Sequence, residues 1–342
     1  MDIKELVRPN ILALAPYSCA RDEFKGEASV YLDANESPYN NGTNRYPDPL
    51  QSEVKALLAP LKNVKPEQIF LGNGSDEAID LVYRIFCRPG IDNVVAPAPT
   101  YGMYQVCADI NDVEYRAIPL KTDYQLDMEA MRKAVDQNTK AIWLCSPNNP
   151  TGNVFAKADL VWFLENCNSM VIVDEAYIDF SDKGTMVEML DKYPNLIVLQ
   201  TFSKAWGQAA IRLGIAMASK QVIAFFNNVK YPYNVNILTQ KQAVKVLEEV
   251  AKKERNVKEI LEQRVILRDL LSTLPCVEEI YPSDANFLLV RVNDANSLYK
   301  YLQEKGIIVR NRNRVTLCKN CLRITVGTPT ENAEIYNALQ GK

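Results

Sequence analysis

The sequence predicts an α/β protein: a mostly parallel, doubly wound sheet forming a large domain, followed by a smaller α+β domain. Two observations carry this. From about residue 66 to 218, short apolar β-branched runs alternate with helix-patterned stretches, and after Pro275 the pattern becomes strand, helix, strand, strand, helix. A third observation bounds it, because 342 residues correspond to about two domains of ordinary size.

Taken in order, the opening residues contain PNILALAPY and several turn formers, with too little apolar material for a core. Residues 1–29 are therefore expected to pack with the small domain, residues 30–239 to form the large one and residues 240–342 the small one. In the large domain the runs QIFLG, NVVAP, EYRAIPL, AIWLCS, MVIVDEAY, LIVLQTFS and LGIAMA are too short for helices and are bounded by Pro, Gly, Asn or Asp. Between them SDEAIDLVYRIF, YGMYQVCADI, DMEAMRKAV, KADLVWFLENC and GTMVEMLDKY repeat apolar residues at three- and four-residue spacing, as amphipathic helices do. Residues 236–273 read as helix, rich in Lys and Glu without Gly or Pro; NFLLVRV, GIIVRN and CLRITVG then read as strands, and ANSLYKYLQEK and TENAEIYNALQ as helices. In such a sheet the ligand is expected beyond the carboxyl ends of the strands.

Composition removes several functions. Lys and Arg total 39 against 42 Asp and Glu, so no basic surface points to nucleic acid. The chain holds no apolar run of membrane-spanning length, and MDIKELVRPN has acidic residues and a proline where a secretory signal needs a basic stretch and an apolar run. A cytoplasmic protein is expected, with neither a membrane nor nucleic acid as partner. There is no histidine, which excludes Ser-His-Asp and Cys-His hydrolysis, HExxH metalloproteases and His-ligated metals. Acid–base work near neutral pH must fall to a shifted Lys, Tyr, Cys or carboxylate, or to a cofactor. Of the eight cysteines only Cys318 and Cys321 form a CxxC; without a second pair or a His they read as ordinary thiols, and no metal site is expected.

The chemistry gathers where apolar runs stop: SPNNPTG at 146–152, VIVDEAY at 171–177 and TFSKAWGQAAIRLG at 201–214. The turn GNGSDEAIDL adds glycines and a helix N-terminus at Ser75 and Asp76, the geometry that binds anions. In this order Asn149, Asp174, Lys204 and Arg212 resemble the fold-type I pyridoxal-phosphate aminotransferases. The resemblance implies that Lys204 is the Schiff-base lysine and proton carrier, and that Asp174 partners the pyridinium nitrogen. It also implies that Asn149 and Tyr177 donate to the cofactor's O3′, and that Tyr101 of APTYGMY stacks on its ring. Arg212, Thr201, Ser203, Ser75 and Asp76 would hold the phosphate of pyridoxal 5'-phosphate.

Two further segments narrow the resemblance. YLDANESPY followed by RYPDP is similar to the start of the histidinol-phosphate aminotransferases; in that family the tyrosine at the position of Tyr46 crosses a homodimer interface to the partner's cofactor phosphate. GIIVRN and CLRITVGT place Arg310 and Arg323 as that family does. Arg323 would grip the substrate α-position, or the α-carboxylate of glutamate. Arg310, with Tyr17, would hold the substrate phosphate or the donor's second carboxylate, Asn149 lying nearby. The implied reaction exchanges an amino group between L-histidinol phosphate and 2-oxoglutarate. Aromatic or broad-range aminotransferases and phosphothreonine decarboxylases use the same scaffold and would share Lys204 and Asp174, whereas a non-catalytic binding module would have damaged them. The segment between the two arginines, NRNRVTLCKNCL, is unusually basic, and Gln208 stands where relatives more often have a small or apolar residue.

Overall fold

The computed structural model describes residues 2–19, 26 and 28–342. After a single helical turn, α1 (Pro9–Leu12), and α2 (Ser52–Lys62), the chain alternates strand and helix: β1 (Ile69–Asn73), α3 (Gly74–Phe86), β2 (Asn93–Ala98), α4 (Met103–Ile110), β3 (Glu114–Pro119), α5 (Met128–Ala134), β4 (Thr139–Cys145), α6 (Lys157–Asn166) and β5 (Met170–Asp174). β6 (Leu196–Thr201), β7 (Leu213–Ala218) and α7 (Lys220–Val229) complete the sheet layer. Small polar side chains start the helices: Asp127 accepts from Ala130 N–H at α5, and Ser219 from Val222 N–H at α7.

The seven runs become one sheet in the order β1-β7-β6-β5-β4-β2-β3. β2 pairs parallel with β3 and β4, as do β4 with β5 and β5 with β6, while β7 lies antiparallel between β1 and β6. Side-chain alternation divides each strand between two apolar clusters. Leu71, Val95, Ile142, Val173, Val198 and Ile215 face one side, and Phe70, Val94, Trp143, Ile172, Ile197 and Ala216 the other. Both faces are covered, as the near-continuous apolar strands require.

The rest of the chain is α8 (Ile237–Leu247), α9 (Val250–Ser272), β8 (Val277–Ile280), β9 (Phe287–Val292), α10 (Ala295–Glu304), β10 (Arg310–Asn311), β11 (Cys321–Thr325) and α11 (Pro329–Leu339). Its four strands form an antiparallel sheet in the order β10-β11-β9-β8. Leu267, Leu288, Val290, Leu302, Leu322, Ile324 and Ile335 make its separate core. α8 spans the expected division at 239/240, and its Ala243, Val246 and Leu247 join the large-domain cluster.

Three expectations change. Ile3, Leu6 and Val7 are buried with α3 and α7 residues such as Val82, Ile85 and Phe226, and Arg8 N–H donates to the Ile85 carbonyl at 3.0 Å. These residues therefore pack on the large domain, not the small one: the apolar outer surface of α3 is the nearer partner. Residues 1, 20–25 and 27 of the 1–29 segment lie outside the described residues. GTMVEMLDKY forms only a 3-10 turn, Met186–Met189, because Thr185 O–H and Met186 N–H are drawn onto the buried Glu175 carboxylate at 2.5 and 2.6 Å. GIIVRN pairs through Arg310 and Asn311 alone.

Candidate active site

The loops at the carboxyl ends of β4, β5 and β6 enclose a cavity of about 150 Å³ with the β1–α3 turn. Ten of the sequence-predicted residues line it: Ser75, Asp76, Tyr101, Asn149, Asp174, Tyr177, Thr201, Ser203, Lys204 and Arg212. They come from five separate strand ends, the convergence expected of a doubly wound sheet.

The floor is Asp174, the last residue of β5 and only 2% exposed. Tyr104 O–H donates to its Oδ2 at 2.6 Å and Ala176 N–H to its Oδ1 at 3.1 Å. Burial still prevails over these bonds and lifts the carboxyl to about 6. Tyr104, a residue the motif reading passed over, is itself fully buried and stacks on Trp143 with centroids 4.7 Å apart. Its only sequence signal is its place three residues after Tyr101 at the start of a helix.

Lys204 sits in the turn after β6, closed by Gly207 N–H to its own carbonyl at 3.0 Å. Its amine lies 5.7 Å from the centroid of the Tyr177 ring. Burial, then the nearby Arg323 and Arg212 guanidiniums, lower its proton affinity, against the pull of Asp174 and Asp76. Tyr177 is buried edge-on to Phe287 at 5.2 Å, and burial raises its phenol. Tyr101 O–H donates to Asp76 Oδ1 at 3.0 Å, and its ring meets Tyr104 edge-on at 5.6 Å.

A corner suited to an anion lies at the N-terminus of α3. Gly74 N–H donates to the Arg212 carbonyl at 2.7 Å, and Arg212 Nη2 lies 3.5 Å from Asp76 Oδ2. Gly74 has a φ of +71°, and a Cβ there would stand 2.7 Å from Arg212 Nη2. At Gly214 a Cβ would stand 2.0 Å from the Ser75 nitrogen, so β7 can pass beneath this turn only as glycine. The set fits pyridoxal phosphate: a buried carboxylate for a ring N–H⁺, a lysine of lowered proton affinity, and a helix N-terminus with an arginine for a phosphate.

Four expected residues lie outside the cavity wall. Arg323, on β11, donates from Nη1 to Asn149 Oδ1 and crosses the Phe287 ring at 5.2 Å. Arg310 is opposite it on β10 and exposed. Tyr17 is 75% exposed. Tyr46, 52% exposed, stacks on Tyr233 at 4.4 Å in a different pocket, with Glu36 and Asn236. Gln208 accepts from Gln242 Nε2 at 3.1 Å, tying the lysine turn to α8. Cys318 and Cys321 are buried, and burial pushes the Cys318 thiol up to about 12.

The profile of aminotransferases of class I and II matches residues 23–339. A histidinol-phosphate aminotransferase of Bacteroides fragilis (strain YCH46) is 57% identical over 339 residues, covering 99% of this chain and 98% of the relative. One from Flavobacterium johnsoniae is 52% identical with the same coverage. Among solved structures, the histidinol-phosphate aminotransferase of Clostridium acetobutylicum superposes with a TM-score of 0.80 at 23% identity, over 87% of this chain and 90% of that one. The L-threonine-O-3-phosphate decarboxylase of Porphyromonas gingivalis reaches 0.74 at 24%, over 86% and 89%. These two structures speak to the fold. Among the described residues no helix is long and apolar enough to cross a membrane.

Proposed function

This chain belongs to the class I and II aminotransferase family, and on that premise we propose that it transfers an amino group between L-histidinol phosphate and 2-oxoglutarate with pyridoxal 5'-phosphate as cofactor. This is the histidinol-phosphate aminotransferase reaction of histidine biosynthesis. The observation that carries the chemistry is Lys204 and Asp174 in one cavity beside an anion corner; the full-length relatives carry the substrate.

Bound in this cavity, pyridoxal phosphate supplies an electron sink for the pair released at the substrate's Cα and carries the amino group between half-reactions. The chain's residues do the rest. Lys204 would anchor the cofactor and then move the proton between the substrate's Cα and the cofactor's C4′; burial, then Arg323 and Arg212, lower its proton affinity, which favours the base it must be. Asp174 keeps the ring nitrogen protonated, with Tyr104 and Ala176 fixing its oxygens. Asn149 and Tyr177 donate to the ring hydroxyl oxygen, and Tyr101 covers the ring face. Ser75 and Asp76 N–H groups, Thr201, Ser203 and Arg212 receive the phosphate. Arg323 holds the substrate's α end, and Arg310 with Tyr17 its distal anion. This work needs no imidazole, which accords with a chain that has none.

The same reading makes the enzyme a cytoplasmic homodimer. Its support is Tyr46, half-exposed and turned away from its own chain's cavity, as a residue serving a second copy would be. The test is a set of half-reactions on purified holoenzyme with histidinol phosphate, phenylalanine and phosphothreonine, each followed by the cofactor's visible absorbance. Histidinol phosphate is expected to discharge the cofactor fastest; conversion by phenylalanine or phosphothreonine alone would overturn the substrate assignment.

A further inference from the structure

One face of the small sheet concentrates positive charge. Arg310 stands opposite Arg323 and Asn311 opposite Leu322, and the ladder runs one residue further where Arg312 N–H donates to the Cys321 carbonyl at 2.9 Å. Successive strand residues point to opposite faces, so Arg310, Arg312, Arg323 and Cys321 share one face. Cys321 belongs to the large-domain cluster and Arg323 reaches Asn149. The face therefore looks toward the cavity.

Arg312 is half-buried and its Nε has no hydrogen-bond partner. Among the described residues no carboxylate pairs with Arg310, Arg312 or Arg323. Arg291, on the same face through its register with Cys321, differs: Glu279 pairs with it at 3.2 Å. Like charges directly across a strand pair repel, and a half-buried guanidinium without a counter-charge is costly. Burial, then Arg323 and Arg310, hold Arg312 down at about 10. The cost is offset only when an anion arrives.

We propose that Arg312 is a specificity-determining residue of this enzyme, the second guanidinium, beside Arg310, of a distal-anion cradle that favours a phosphate monoester over a carboxylate. The proposal rests on the reading above, in which one site takes both histidinol phosphate and glutamate. A phosphate monoester carries about −1.5 to −2 charges at neutral pH and three acceptor oxygens, enough to engage a second guanidinium beside Arg310. The distal carboxylate of glutamate has one charge and two oxygens, which Arg310 alone satisfies. Arg312 thus separates two substrates that every other cation in the site treats alike.

The experiment is single-turnover titration of the holoenzyme and of Arg312→Gln and Arg312→Lys with histidinol phosphate and, separately, glutamate. Inorganic phosphate serves as a competitor of the glutamate half-reaction. Arg312→Gln is expected to weaken histidinol phosphate and inorganic phosphate by about 10–100-fold each, with glutamate affinity and both limiting rates little changed; Arg312→Lys recovers part of the loss. Equal weakening of both substrates, or no change in either, overturns the proposal. If wild-type enzyme turns over glutamate and ignores histidinol phosphate, the substrate reading fails instead, and the inorganic-phosphate titration still decides the cradle.

Discussion

The floor of the cavity and the arginine face of the small sheet solve opposite problems. At the floor, Asp174 is a buried charge whose two oxygens already hold Tyr104 O–H and Ala176 N–H. At the face, three guanidiniums stand without a carboxylate among the described residues. The floor is complete inside the chain and so can act identically on every substrate. The face is incomplete until a ligand arrives, and so can tell substrates apart by the charge they bring. Substitutions at the floor should therefore damage both half-reactions together, whereas one at Arg312 on the face should divide them.

The largest expected effect is at Lys204. Lys204→Ala removes the proton carrier that both half-reactions share and is expected to slow each by about 10⁴-fold, measured as the single-turnover rate with histidinol phosphate and with glutamate. Losses differing strongly between the two would break the contrast between floor and face. Next is Gly214→Ala, whose Cβ would lie 2.0 and 2.1 Å from backbone atoms of Ser75 and Gly74. Neither atom can retreat without moving the start of α3. The expected cost is about 1–3 kcal/mol of stability, seen in thermal melting of the apo-protein, with weaker cofactor binding at the displaced corner.

Tyr104→Phe should act on the floor without disturbing its shape. Phenylalanine keeps the stack on Trp143 but removes a hydrogen bond that lowers Asp174's pKa. The carboxyl then holds its proton to a pH above its present value of about 6. Cofactor affinity of the apo-protein should fall about tenfold near pH 7 and recover as pH rises. A pH profile of cofactor binding identical to wild type would remove Tyr104 from the site.

Much of this was legible in the sequence, for a local reason. Strand ends show where to look, because an apolar β-branched run stops where the chain turns to face a ligand; Asp174 ends such a run and Lys204 lies three residues beyond another, and the order of these motifs, through the resemblance it carries, gives them their roles. Tyr104 is not legible in this way, because the second tyrosine of YGMY reaches its place by stacking on Trp143 of β4 and donating to Asp174 at the end of β5, contacts distant in sequence that no local pattern contains. The basic run around Arg312 was visible as composition, but its meaning needed the β10–β11 register, since a slip of one residue would turn Arg312 to the other face. Ile3, Leu6 and Val7 were read as part of a segment on the wrong domain, because a short apolar turn fits any exposed apolar surface and only the folded molecule supplies α3.

The smallest effect tests how sharply the floor ends. Glu175 follows Asp174 but points to the opposite face of the sheet, where it accepts from Thr185, Met186 and Gln200. Burial raises its carboxyl to about 7 from 4.5, although those hydrogen bonds and Lys62 oppose the shift. With its folded pKa above the ordinary value, the folded protein binds the extra proton more tightly. The stability this supplies is complete below about pH 4.5 and is lost as pH rises through about 7. Glu175→Gln fixes the neutral form. The new amide can donate to Gln200 if that side chain turns, since Gln200 Oε1 is buried without a partner, and its oxygen still accepts from Met186 N–H. The variant should melt at a similar temperature to wild type near pH 5 and become relatively more stable by about 1–3 kcal/mol by pH 8, with single-turnover rates for both substrates unchanged. A fall in those rates would show that the floor extends through the sheet to Glu175.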